Sequence, residues 1–215
     1  MNISRKEIRR YLGMKRDSEA MNELIEECVA LLEKAAVPRH IYVRLPLSWK
    51  DGFPVIDSEV IESRNLAKNL EGCSEIVIMA CTLGAEVDRL IAKYNVISMA
   101  HAAVLQAAGA AMIEEVCDEV NEEIRRNAEE NGFYCHPRFS PGYGDLKLET
   151  QKLIFSLINL PKEIGLTLNE SMLMTPFKSV TAFIGLSKEK HDESDRNCDA
   201  CDMSPTCEYR QQEDI

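Results

Sequence analysis

A chain of 215 residues with 45% hydrophobic content can bury a sizeable core and has no need to divide, although two lobes stay open to it. Its 36 acidic against 25 basic side chains give a formal net charge of −11, leaving no lysine and arginine stripe to neutralise phosphates, which argues against a nucleic-acid binder. No segment approaches the roughly 18 apolar residues that a membrane span needs, and the first residues form no apolar signal region, so a cytoplasmic protein without membrane association is expected.

In chain order, Ile8 to Leu12 and Ser18 to Ala36 read as helices, the second with Met21, Leu24, Ile25, Cys28, Leu31 and Leu32 on one face and Pro38 just past its end. His40 to Leu45 alternates as a strand closed by Pro46, and Trp49 to Phe53 reads as a hairpin turn with Asp51-Gly52 at its tip. A polar helix is expected from about Ser58 to Asn69. Glu75 to Cys81 has the pattern of a buried strand, running through Thr82-Leu83-Gly84 into a helix from Ala85 onward.

The clearest helix spans about Ser98 to Asn127, where Leu105, Gly109, Met112, Val116, Val120 and Ile124 recur at intervals of three and four and face inward. Its first half collects Ala102, Ala103, Ala107, Ala108, Gly109, Ala110 and Ala111, small side chains that admit either a closely packed neighbouring element or a ligand. Glu114, Glu115, Asp118 and Glu119 read as a solvated face, and Asn131-Gly132 ends the helix. Leu148, Ile154, Phe155 and Ile158 suggest a further helix with Pro161 as its stop, and Met172 to Met174 with Ala182 to Ile184 supply two late strands. The elements together predict an α+β fold with an antiparallel or mixed sheet flanked by long helices.

Two stretches carry chemistry. The first is the loop His136 to Asp145, in which Pro141-Gly142 makes a sharp turn between Arg138 and Tyr143. A guanidinium offers a planar fork of donors to a carboxylate, and an aromatic ring beside it suits a flat or cationic group. The alternative is an ordinary turn in which Arg138 pairs with a local acid and Tyr143 packs on the core. The second stretch is the carboxyl-terminal C-x2-C-x5-C cluster of Cys198, Cys201 and Cys207. It is too polar to bury them, and its spacing suits a zinc or iron-sulfur site whose fourth ligand could come from His191, Cys135, Cys81 or Cys73. A redox dithiol at Cys198 and Cys201, or an unliganded mobile tail, stays open. Cys28, Cys73, Cys81 and Cys117 fall in apolar patterns and read as core. Among the histidines only His136, beside the loop, invites a functional role, and Glu170 either caps locally or lines a ligand cleft. No Gly-x-Ser-x-Gly elbow, phosphate loop or His/Asp/Ser grouping supports hydrolase or kinase chemistry.

The same loop carries a family resemblance. Arg138-x-x-x-Gly142-Tyr143, followed by Gly144-Asp145-Leu146, resembles the Arg-x-x-x-Gly-Tyr signature of the activation domain of vitamin B12-dependent methionine synthase. Ile164 to Pro176, then Ser179-Val180-Thr181-Ala182, looks like the family's stretch in which a Leu-Thr-Glu-Ser-type turn runs into a strand, a proline and a small-residue strand. The likeness extends from about Ala100 to Leu186, and the amino-terminal third looks more like free-standing bacterial relatives of the domain. It divides the chain into an amino-terminal region of helices and strands (1–95), an activation-domain core with the loop (96–190) and the cysteine tail (191–215).

The resemblance implies that the domain binds S-adenosylmethionine and presents its methyl group to cobalamin held by a separate corrinoid-binding methyltransferase. There, one-electron reduction of inactive Co(II) by flavodoxin is trapped by methyl transfer, giving methylcobalamin. Arg138 would pair with the methionyl carboxylate, the backbone around Ser140, Pro141 and Gly142 would bind adenine or the amino group, and Tyr143 would face the sulfonium or the corrin. Glu170 stays open between a local cap and a place in the ligand cleft near Arg138. The family's acidic S-adenosylmethionine contacts are not matched, since the early part of the chain aligns poorly and the helix position expected to be acidic falls among the alanines. The cysteine tail departs from the family and opens a route for electrons through a cluster instead of flavodoxin, with flavodoxin or ferredoxin as the carrier otherwise. Two other roles remain: a non-catalytic module that covers its partner's corrinoid, and a homologue reused for another small ligand.

Overall fold

The computed structural model describes residues 3–14 and 18–190. Helix α1 (Arg5–Tyr11) starts at Ser4, whose hydroxyl accepts the Glu7 amide, and α2 (Glu19–Ala35) starts in the same way at Ser18, which accepts from Met21. Four strands follow: β1 (Arg39–Pro46), β2 (Ser48–Lys50), β3 (Phe53–Ile56) and β4 (Glu59–Val60). Asp51-Gly52, with φ of 51° and 82°, forms the tip between β2 and β3, and Asp57-Ser58, with φ of 46° and 72°, repeats the device between β3 and β4.

Here the structure corrects the expected helix from Ser58 to Asn69. Only α3 (Arg64–Asn69) is helical, capped by Ser63, while Glu59 and Val60 pair with Ile56 and Val55. Polar composition does not distinguish an exposed hairpin from an exposed helix, and the second tight turn claims these residues for the sheet.

Strand β5 (Cys73–Thr82) is buried over almost its whole length and leads through Gly84, at φ 87°, into α4 (Ala85–Ile97). Helix α5 (Met99–Glu130) is 32 residues long. Strand β6 (Tyr134–Cys135), the site loop, a 3-10 turn (Leu148–Thr150), α6 (Gln151–Leu157) and α7 (Leu160–Ile164) come next. Pro161, expected to stop a helix, instead lies in the first turn of α7, where Asn159 caps the Lys162 amide. The missing N–H of proline matters least at that position, because first-turn amides have no intrahelical acceptor. The chain closes with β7 (Thr167–Leu168), β8 (Met174–Thr175) and β9 (Ser179–Ser187). Met172 and Leu173, read as strand, belong to the β7–β8 turn, where the Asn169 side chain accepts the Ser171 and Leu173 amides. The fold is α+β, as expected, and the β2–β3, β3–β4, β6–β9 and β7–β8 pairings are antiparallel.

The described chain divides into two units, each with its own core. The first comprises 3–14, 18–41, 80–122 and 155–180. Ile8, Ile25, Leu32, Val87, Leu105 and Met112 are buried in it. The small-residue stretch of α5 has a specific occupant at Gly109, where an added Cβ would meet Lys178 Cε at 3.1 Å. The Lys178 stem lies over the glycine, and its Nζ donates to the Gln106 carbonyl at 3.0 Å. Burial pushes this ammonium's pKa down, partly opposed by the Asp88 carboxylate.

The second unit comprises 42–79, 123–154 and 181–190. It contains the three-stranded sheet β2-β3-β4, and β6 pairs there with β9 through Tyr134↔Ser187 and Cys135↔Leu186. The larger sheet has the order β1-β5-β9-β6. Ile56, Leu66, Leu70, Ile76, Ile78, Met79 and Phe183 are buried in this unit. Gly185 is the tight point of β9: a Cβ there would lie 2.5 Å from Cys73 Sγ and 2.8 Å from Leu70 Cδ2. Gly185→Ala is therefore expected to cost about 1–3 kcal/mol of unfolding free energy in urea through overpacking. Adding Cys73→Ala should recover part of that loss, whereas an unchanged urea midpoint for Gly185→Ala would show that the sheet has room.

Candidate functional site

The loop from His136 to Asp145 is assembled within the second unit. It leaves the sheet as a continuation of β6: the His136 amide donates to the Gly185 carbonyl at 2.8 Å, and Phe139 and Phe183 exchange backbone hydrogen bonds at 2.9 and 2.8 Å. Ser140-Pro141-Gly142-Tyr143 then closes a turn in which the Tyr143 amide donates to the Ser140 carbonyl at 3.2 Å. Proline at the second position and Gly142 at φ 96° give it the type II pattern, which needs a residue tolerant of positive φ at the third. The Leu146 amide returns to the Tyr143 carbonyl at 3.0 Å, and the Gly142 amide donates to the Leu146 carbonyl at 2.8 Å.

Arg138 is half-buried, with Nη1 shut off from solvent, and Pro141 is buried. Ser140 is half-buried and Gly142 exposed. Tyr143 is 70% exposed, so its ring is presented outward and does not pack on the core. A guanidinium held at the loop's base and an aromatic ring displayed at its tip could engage two different parts of one ligand.

Both ends of the loop are fixed to α3. At the carboxyl end of that helix, His136 Nδ1 donates to the Asn69 carbonyl at 2.7 Å, and Asn69 Nδ2 donates to the Pro137 carbonyl at 3.2 Å. His136, only 3% exposed, therefore serves as a pin for the loop. At the amino end, the Asp145 carboxylate accepts the Ser63 hydroxyl, the Arg64 amide at 2.7 Å and the Asn65 amide at 3.1 Å. Gly144 rests directly on the helix, since a Cβ there would lie 2.5 Å from Asn65 Nδ2. The role of Asp145 is not legible in the sequence, because its partners are 80 to 82 residues away and no local pattern announces them.

Glu170 lies in the first unit, exposed in the turn after β7, where capping is done by its neighbour Asn169. Cys28, Cys73, Cys81 and Cys117 are buried, as their apolar settings suggested. Burial pushes the Cys28 thiol up to about 11 and the Cys73 thiol up to about 12, which keeps both as neutral thiols near neutral pH. Cys198, Cys201, Cys207 and His191 lie outside the described residues. Among the described residues no group of three or more His, Cys, Asp or Glu side chains could hold a metal ion, and no helix is long and apolar enough to cross a membrane.

Comparison with known proteins places these features in a family setting. Residues 66–195, more than half of the chain, match the family described as vitamin B12 dependent methionine synthase, activation domain. The matched span also takes in residues 66–99, ahead of the stretch from about Ala100 to Leu186 that carries the sequence likeness. A crystal structure of the MetH reactivation domain bound to AdoHcy is similar over 86% of this chain and 77% of its own, with a TM-score of 0.62 and 16% sequence identity, a likeness of fold. No curated protein matches.

The attachment at Asp145 has a pH signature. Hydrogen bonds from Ser63 first, then from the Arg64 and Asn65 amides, hold its carboxyl below the usual carboxylate range. The folded state thus prefers the charged form, so the stabilisation is complete above the unfolded value of about 4 and is lost as pH falls through the lower folded value. Urea unfolding of wild type and Asp145→Asn should show a constant gap from neutrality to about pH 5 that shrinks below about pH 4. A gap that persists unchanged into that acid range would assign the effect to something other than the carboxylate.

Proposed function

Because the chain belongs to the family of the activation domain of vitamin B12-dependent methionine synthase, we propose that it binds S-adenosylmethionine on the 136–145 loop and presents the methyl group to cobalamin on a separate corrinoid-binding methyltransferase. The observation that carries this reading is the loop: Arg138 at its base and exposed Tyr143 at its tip, in the Arg-x-x-x-Gly-Tyr pattern, on a backbone fixed at both ends. Support also comes from the similar fold whose crystal structure contains AdoHcy, the demethylated product of such a donor.

Arg138 pairs with the amino-acid carboxylate of the ligand, a charge-assisted contact whose planar fork also sets orientation. The backbone of Ser140, Pro141 and Gly142 receives the adenine or the amino group, with Gly142 leaving one side of the turn without a side chain. Tyr143 offers its ring to the sulfonium or to the corrin face, and an aromatic face attracts a cation. S-adenosylmethionine, when bound, supplies an electrophilic methyl on sulfur. The chain's own contribution is placement, which can lower a barrier by several kcal/mol without a general base. The single electron that the partner's cobalt requires comes from a flavodoxin- or ferredoxin-like carrier.

Calorimetry with S-adenosylmethionine or S-adenosylhomocysteine tests the reading. Wild type is expected to bind, and Arg138→Ala to bind about ten- to a hundredfold more weakly, the loss expected for one charge-assisted contact. Absence of binding by the wild type, or an Arg138→Ala titration matching it, would remove the proposal.

The spacing of Cys198, Cys201 and Cys207 favours a second reading for the tail alone, a zinc or iron-sulfur site. It would act as a structural clip in a docking module or as a relay for the incoming electron. Protein purified without oxygen should then contain stoichiometric zinc or iron, and replacing the three cysteines by serine should abolish it. Metal-free wild-type protein would sink both versions.

A further inference from the structure

We propose that Asp145 is the positioning residue of the ligand loop, acting on affinity by holding the Ser140–Tyr143 turn in place and not by touching the ligand. The inference rests on the reading of this loop as the S-adenosylmethionine site.

The loop has two kinds of restraint. On its approach side, residues 136–139 are tied to β9 and to the carboxyl end of α3. Beyond Phe139 the turn is held by its own short hydrogen bonds, Tyr143 to Ser140 and the pair between 142–143 and Leu146. These bonds shape the turn and burial of Pro141 seats its base, while Gly142 to Gly144 beyond it are exposed. The next outside anchor is Asp145, two residues after the exposed Tyr143 ring and within about 7 Å of chain from it.

One carboxylate accepts three donors from the start of a helix more than 80 residues earlier, although the side chain is itself exposed. Gly144, at φ 54°, lets the backbone settle onto Asn65 where any other residue would collide with it. The arrangement orders an exposed tip, Gly142 to Asp145, between buried Pro141 and buried Leu146. That is the property a binding loop needs, because apparent affinity is intrinsic affinity multiplied by the fraction of molecules already in the competent geometry. Releasing the anchor lowers that fraction.

The test combines S-adenosylhomocysteine calorimetry, amide hydrogen exchange at Tyr143 and Leu146 in ligand-free protein, and urea midpoints. Asp145→Ala is expected to weaken binding about ten- to a hundredfold and to speed exchange at both amides, because charge-assisted hydrogen bonds are lost together. Asp145→Asn, which keeps one acceptor oxygen, should fall between it and wild type. Ser63→Ala should weaken binding while Ser63→Thr, which keeps the hydroxyl, should preserve it. Arg138→Ala should lose affinity with exchange unchanged. Wild-type-like exchange in Asp145→Ala, or faster exchange with undiminished affinity, overturns the positioning role, the urea midpoints serving to set conditions under which every variant is folded. Absence of binding by the wild type overturns the ligand reading on which the role rests, and the two failures are told apart by that one titration.

Discussion

The pairing of β9 with the start of the site loop is the constraint on which the second unit depends. Phe183 contributes the largest fully buried side chain of the described chain and exchanges backbone hydrogen bonds with Phe139, while the Gly185 carbonyl receives the His136 amide. The same few residues of one strand therefore close a core and suspend a loop. Removing backbone partners from a buried strand leaves polar groups without water or protein to satisfy them, a cost of about 1–3 kcal/mol each. The loop's first half is consequently tied to the sheet from which it hangs.

Helix α3 completes the frame. Six residues are too few to be stable alone, since helix nucleation is costly and only longer segments recover it. Here both ends of the helix are occupied by loop residues: Asp145 at the amino end, where negative charge also complements the helix dipole, and Pro137 and His136 near the carboxyl end. Helix and loop order each other, and Leu66, buried at the helix centre, fixes the pair to the core. Outward display of Tyr143 follows from this frame, because a side chain so exposed gains nothing from its own packing.

In the first unit a different economy operates at α5. Gly109 gives room to the stem of Lys178, and the ammonium reaches a helix carbonyl at Gln106. A lysine covering a helix in this way supplies apolar contact along its carbons while its charge finds an acceptor. Asp88 is tied to the adjoining segment, accepting the Phe177 amide at 2.7 Å. Charge and packing are thus coupled at a place where the sequence showed only small residues.

Periodicity and turn chemistry determined most of the framework from sequence: the long α5, the capped α2, the Asp51-Gly52 hairpin and the buried β5 are all products of local spacing, which the chain carries wherever it folds. The Arg138 and Tyr143 loop was legible for the same reason, since a Pro-Gly turn between two chemical side chains is a local pattern that also matches a family signature. At residues 58 to 69 and at Pro161, composition or a single residue does not fix geometry: pairing with β3 claims Glu59 and Val60, and although α6 ends before Pro161, an asparagine cap makes that proline part of the next helix's start. Asp145, His136 and Lys178 acquire their roles from partners 67 to 82 residues away. Such contacts depend on where distant segments are brought together, so only the tertiary structure decided them.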